Sequence, residues 1–143
     1  MRPVLFDTSI YVSALRTEGA ELALRRLSGN AALWLSSVVL EELYAGAGIQ
    51  ARRVLERLEH DFEKARRILI PNLTDWTQAG KVLSLIGARY GYEEIGKARL
   101  TNDALIAMSA ARLGMLVITA NARDFARLAV FRSFQWRLET LVG

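Results

Sequence analysis

Short apolar runs alternating with amphipathic stretches constrain this chain more than any other feature. Val4-Leu5-Phe6, Leu33 to Ser36, Ile68 to Ile70 and Met115 to Thr119 are each bounded by polar or small residues, and a further run lies near Phe134 to Leu138. Runs this short and this apolar suit strands buried on both faces, and strands separated by helical stretches pair in parallel because a parallel pair needs a long crossover. The expectation is an α/β fold, a three-layer α/β/α sandwich around a mostly parallel central sheet of about five strands.

The helices can be placed from their periodicity. After Gly48, the residues Val54, Leu55, Leu58, Phe62 and Ala65 share one stripe, while Arg53, Glu56, Arg57, His60, Glu63 and Lys64 cover the rest. Arg52 with Glu56 and Glu63 with Arg67 are spaced to pair across a turn. A second helix is expected from an N-cap at Thr74, carrying Trp76, Ala79, Val82, Leu83 and Ile86 inward as far as Gly91. A third runs from near Asn102 to Gly114, a residue suited to the left-handed position that ends a helix. No repeat and no linker interrupts the pattern, so residues 1–143 are expected to form a single domain.

Composition removes several function classes. Without cysteine, disulfides, zinc–thiolate sites and thiol nucleophiles are impossible. No apolar run approaches the roughly 20 residues that cross a bilayer. The N-terminal Met1-Arg2-Pro3-Val4-Leu5-Phe6 runs into an acid rather than a signal-type core, so a cytoplasmic location is expected. Lys and Arg number 19 against 15 Asp and Glu, a mild bias toward polyanions.

In an open α/β sheet, ligands collect beyond the carboxyl ends of the strands, which makes the polar residues there informative. Asp7 follows Val4-Leu5-Phe6 directly, with the hydroxyls of Thr8 and Ser9 in the same turn. Asp124 lies just past the strand that ends at Thr119, and Asp103 opens the helix leading into that strand. Each has an ordinary reading: a helix N-cap for Asp7, a dipole partner for Asp103, a solvated loop residue for Asp124. The second strand leads into an otherwise apolar helix bearing Glu41 and Glu42, and a mostly buried helix rarely tolerates an unpaired carboxylate. Helical geometry alone leaves open which glutamate turns inward.

Several carboxylates converging in one cleft repel unless a cation sits among them, and all-oxygen ligands suit Mg²⁺ or Mn²⁺. Such an ion can acidify bound water and stabilise a leaving oxygen, the requirements of phosphodiester hydrolysis. Other chemistry has little support. His60, the only histidine, sits on the polar face of its helix, and no Gly-rich phosphate-binding loop is present.

Four segments in order resemble the PIN-domain superfamily: Phe6-Asp7-Thr8-Ser9, Glu42-Leu43-Tyr44-Ala45-Gly46, Asn102-Asp103-Ala104-Leu105-Ile106-Ala107 and Thr119-Ala120-Asn121-Ala122-Arg123-Asp124-Phe125. The resemblance spans essentially the whole chain and selects Glu42 over Glu41. It implies that Asp7, Glu42, Asp103 and Asp124 form the metal-binding and catalytic set, with Thr8, Ser9 and Asn121 as supporting groups. It further implies an endoribonuclease using Mg²⁺ or Mn²⁺ that leaves a 5′-phosphate and a 3′-hydroxyl. The expected setting is the toxin half of a VapBC-type toxin–antitoxin pair: a homodimer acting on RNA and inhibited by a VapB-type antitoxin. Arg16, Lys97, Arg99 and Arg123 are candidate substrate contacts by their closeness to the motifs.

Two rivals follow from the same residues. A phosphatase forming an aspartyl-phosphate on Asp7 would need a second Asp where Ser9 stands, and a receiver-type protein would need a late lysine, whereas none follows Lys97. A PIN-like module that binds RNA or protein without cutting would share the same cleft. Against it, bare carboxylates repel phosphate unless metal bridges them.

Overall fold

The strand that begins the chain sets the frame for everything else. In a computed structural model, which describes residues 2–16, 32–96 and 100–139, β1 (Pro3–Phe6) lies at the centre of a five-stranded sheet. Its neighbours are β2 (Ala32–Ser36) on one side and β4 (Leu116–Thr119) on the other, with β3 (Ile68–Leu69) and β5 (Trp136–Leu138) at the edges. The order is β3-β2-β1-β4-β5, and all four pairings are parallel. The sheet is therefore parallel throughout these strands rather than mostly so.

Helices connect the strands: α1 (Thr8–Leu15), α2 (Ser37–Gly46), α3 (Ile49–Lys64), α4 (Leu73–Tyr90), α5 (Leu100–Arg112) and α6 (Ala122–Phe131), with a 3₁₀ turn at Tyr92–Glu94. The chain steps in one direction from β1 to β3 and in the other from β4 to β5. Right-handed crossovers then put α1, α2 and α3 on one face and α4, α5 and α6 on the other. The contacts agree, since α2 touches both α1 and α3, while α4, α5 and α6 all touch one another. The two groups also meet where α2 contacts α5. Leu5, Phe6, Leu35, Val117 and Ile118 from the strands meet Ile10, Val39, Ile86, Ile106 and Phe125 from both helical layers, all fully buried.

Three local expectations change. The N-cap of α4 is Asn72 rather than Thr74. Its side chain accepts from Asp75 N at 2.9 Å, and Asp75 in turn accepts from Asn72 N at 2.9 Å, a reciprocal capping box that Thr74 has no matching acid to form. Trp76 is 57% exposed instead of core. The inward place one turn before Ala79 belongs to Asp75, which turns in to Arg112, and this rotates the indole to the surface. On α3, only Leu55 is buried, with Leu58 and Phe62 half-buried; Val54 is exposed and Ala65 lies past the helix end. The stripe is narrower than its sequence suggested, as befits an outer helix resting mainly on α2 and β2. Gly114 does adopt the left-handed conformation, φ 65°, just beyond α5.

Side-chain links fasten helices to one another. Arg112 at the end of α5 donates from Nε to both oxygens of Asp75, at 3.0 and 3.1 Å, and from Nη2 to Oδ2 at 3.0 Å. The fork joins the start of α4 to the end of α5, so the two helices run antiparallel, and Asp103 sits in the first turn of the second. Tyr44 donates to Glu59 at 2.7 Å between α2 and α3, and this bond, with burial adding less, pushes the phenol up to about 12.

Candidate active site

The connections from β1 and β4 leave in opposite directions, and where neighbouring parallel strands do this a crevice opens at their carboxyl ends. Asp7 occupies it. Its backbone extends β1 by one bond, donating from N to Ile118 O at 3.0 Å, and its side chain then caps α1 by accepting from Ile10 N at 3.4 Å. The N-cap reading of Asp7 is thus correct as far as it goes. The same carboxylate also accepts from Ser9 Oγ at 2.5 Å on one oxygen and from Thr119 Oγ1 at 2.7 Å on the other.

These bonds to Asp7 come from neutral groups, and only 3% of the residue is exposed. Burial therefore dominates and raises its carboxyl above the ordinary value, with the bonds from Ser9, Thr119 and Ile10 opposing it. A group held this way is stabilised in its charged form by a nearby cation.

The hydroxyls extend the network. Ser9 Oγ accepts from Ala120 N at 3.0 Å and Thr119 Oγ1 accepts from Asn121 N at 2.9 Å, so the ends of β1 and β4 are clasped on both sides of Asp7. Asn121 donates from Nδ2 to Asp124 Oδ2 at 3.0 Å, which ties the half-buried Asp124 at the start of α6 into the same chain of contacts. Thr8 donates to Glu42 Oε1 at 2.7 Å, drawing α2 toward α1. Here the two glutamates part: Glu42 is half-buried and bonded across to Thr8, whereas Glu41 is exposed. Asp103 is buried, 6% exposed, in the first turn of α5, a helix that contacts α2.

Asp7 and Asp124 are therefore linked through the strand-end clasp, Glu42 is held by Thr8, the residue after Asp7, and Asp103 is buried on α5. Among the described residues, no three acidic or histidine side chains are gathered closely enough to enclose a metal ion. The donor set still suits a hard divalent cation in kind, since it is all oxygen and centred on a buried carboxylate with only neutral partners. Mg²⁺ keeps several of its waters and binds through one or two carboxylates together with substrate phosphates, so an open arrangement is compatible with it.

Thr119 is a member of this hydrogen-bond network that the sequence did not single out, although it lies inside the segment Thr119 to Phe125. A threonine ending an otherwise apolar strand was the available signal. Of the basic candidates, Arg16 and Arg123 are exposed and Lys97 and Arg99 lie outside the described residues. Arg16 flanks an open groove of about 570 Å³ that runs from Thr8 and Glu42 past Leu43 to Gly48 and Leu55. His60 is exposed on α3, as its position on the polar face implied.

A family model described as PIN domain matches residues 4–130. No curated protein matches the chain in sequence. Among solved structures, the chain is similar to one in the DNA-bound VapBC complex of Salmonella typhimurium, with a TM-score of 0.67 and 21% identity over 96% of this chain and 98% of that one. A chain of VapBC2 from Rickettsia felis, bound to a DNA fragment from its promoter, gives a TM-score of 0.66 at 21% identity, covering 96% of this chain and 99% of that one. VapBC-1 from nontypeable Haemophilus influenzae gives 0.63 at 23%, covering 94% and 96%.

Proposed function

Because this chain belongs to the PIN domain family, we propose that it is a metal-dependent endoribonuclease that acts as the toxin of a type II toxin–antitoxin pair. The observation that carries the reading is Asp7: a buried carboxylate at the switch point of a parallel sheet, bonded by neutral groups, with Asp124 linked to the same clasp and Glu42 held by the adjacent Thr8.

In this reading Asp7, Glu42, Asp103 and Asp124 hold Mg²⁺ or Mn²⁺. When bound, the ion supplies an acidified water and neutralises charge on the phosphodiester. The chain's own groups do the positioning. Thr119, Ser9 and Ile10 N hold Asp7 with both oxygens fixed, Thr8 orients Glu42, and Asn121 orients Asp124. Burial of Asp7 keeps bulk water from competing for it. The products are a 5′-phosphate and a 3′-hydroxyl.

The partners follow the same reading: RNA as substrate, a VapB-type antitoxin as inhibitor, and a second copy of the chain, in the cytoplasm. Support for the antitoxin is the likeness to chains solved within VapBC complexes. Support for the homodimer is an exposed apolar patch of Ile70, Leu73 and Trp76 beside a groove of about 240 Å³. No helix among the described residues is long and apolar enough to cross a membrane.

The test is cleavage of labelled single-stranded RNA with Mn²⁺, with chelator, and by Asp7→Asn. Metal-dependent cutting lost in the variant is expected, together with growth arrest on expression. Products ending in a 2′,3′-cyclic phosphate would refute the mechanism. A second reading, a PIN module that binds RNA or protein without cutting, is favoured by the open spacing of the carboxylates; tight RNA binding with no metal dependence and no cleavage is its signature.

A further inference from the structure

Beside Asp124 in sequence, Arg123 belongs to a second cluster of charges. Glu94, in the 3₁₀ turn after α4, is contacted by two arginines one turn apart on α6. Arg127 Nη1 lies 3.5 Å from Glu94 Oε2, its side chain is 22% exposed, and its guanidinium carbon sits 4.4 Å from the centre of the Tyr90 ring. Arg89 lies 5.4 Å from the same ring centre. Arg123 is different. Its Nη2 is 3.8 Å from the same Glu94 oxygen, at the outer edge of an ion pair, and its side chain is 64% exposed.

The two arginines therefore divide the work. Arg127, shielded and stacked on Tyr90, joins α6 to the turn after α4. Arg123 adds little to that joint, because an exposed pair at such a distance contributes little to stability. It is, however, the immediate neighbour of Asp124 in the first turn of α6, just past the carboxyl end of β4 where Asn121 holds Asp124 and where carboxylates repel a polyanion. A guanidinium fork matches a phosphodiester in shape and charge.

The geometry points to Arg123 as a phosphate-binding residue for the RNA strand entering the acidic cleft, with Glu94, anchored by Arg127, restraining it until a phosphodiester displaces the carboxylate. The assignment rests on the ribonuclease reading for the identity of the ligand. It concerns binding rather than cutting, so it is tested without turnover.

Binding of a fluorescent single-stranded RNA is measured by anisotropy across a range of salt concentrations, once in chelator and once in Ca²⁺. Arg123→Gln is expected to weaken binding about fivefold and to flatten the salt dependence by about 0.7, the contribution of one single-strand phosphate contact. Glu94→Gln is expected to tighten binding about two- to fivefold by removing the competing carboxylate. Arg57→Gln, a charge removed from the exposed face of α3 in the opposite helical layer, serves as the control and should leave the slope unchanged.

Equal effects of Arg123→Gln and Arg57→Gln would overturn the assignment, as would an unchanged slope for Arg123→Gln or no RNA binding by the wild-type chain in either arm. Weaker binding by Glu94→Gln would overturn the restraint. Loss of cleavage by the wild type with the binding pattern intact would instead count against the nuclease reading and leave the phosphate site standing.

Discussion

Replacing Arg112 with alanine should destabilise the protein more than removing any ordinary surface arginine. Arg112 makes three contacts of 3.0 to 3.1 Å with Asp75, whose side chain is 2% exposed, and the bond raises the arginine's own pKa, so the guanidinium stays charged. Removing one partner of a fully buried pair costs about 3–5 kcal/mol, mostly from the orphaned charge. Because 32% of the Arg112 side chain is exposed, water can reach part of the vacated space, and about 2–3 kcal/mol is the better figure. For a chain of this size that is a fall in Tm of roughly 6–10 °C. The diagnostic is a second change in the same background. Asp75→Asn removes the orphaned charge and keeps an oxygen to accept from Asn72 N, so adding it to Arg112→Ala should recover about 1 kcal/mol or more. Urea unfolding of the wild type, both single variants and the double variant gives all four values. A loss below about 0.5 kcal/mol for Arg112→Ala, or further destabilisation on adding Asp75→Asn, would refute the view that a buried charge is what Arg112 balances.

Two further outcomes concern Asp7 and its clasp. Burial raises the Asp7 pKa in the fold, so its ionised form opposes folding above that value and the penalty is relieved as pH falls through it. Without metal, Asp7→Asn should therefore match or exceed the wild type in Tm near pH 7, with the difference shrinking toward about pH 4, and Mn²⁺ should stabilise only the wild type; a variant less stable at neutral pH contradicts this. Thr119→Val removes the donor to Asp7 and the acceptor for Asn121 N, and should cost about 1–3 kcal/mol and slow RNA cleavage on the order of tenfold, with Thr119→Ser restoring both; unfolding and single-turnover cleavage check it.

What the chain reveals in one dimension is what neighbouring residues decide among themselves. The alternation of apolar runs and amphipathic stretches dictated a layered α/β fold, since a strand buried on both faces needs helices above and below it. Asp7 directly after β1 and Gly114 just past α5 followed from the same local logic, and the order of four acidic segments carried the family resemblance. Position along the chain could not show which groups meet across space. Asp7 and Thr119 are 112 residues apart, Asp75 and Arg112 are 37 apart, and Thr8 and Glu42 are 34 apart. Each contact was decided by the strand order and by how the helices pack on the sheet. Glu42 differs from Glu41 because one of them faces Thr8, and Trp76 is outside because Asp75 found Arg112 within reach. Glu94 gained its hold on Arg123 only when α6 came to lie beside the end of α4. Local spacing could propose the acids. Only the tertiary fold could say which of them are buried, what holds them, and which arginine beside them is left exposed.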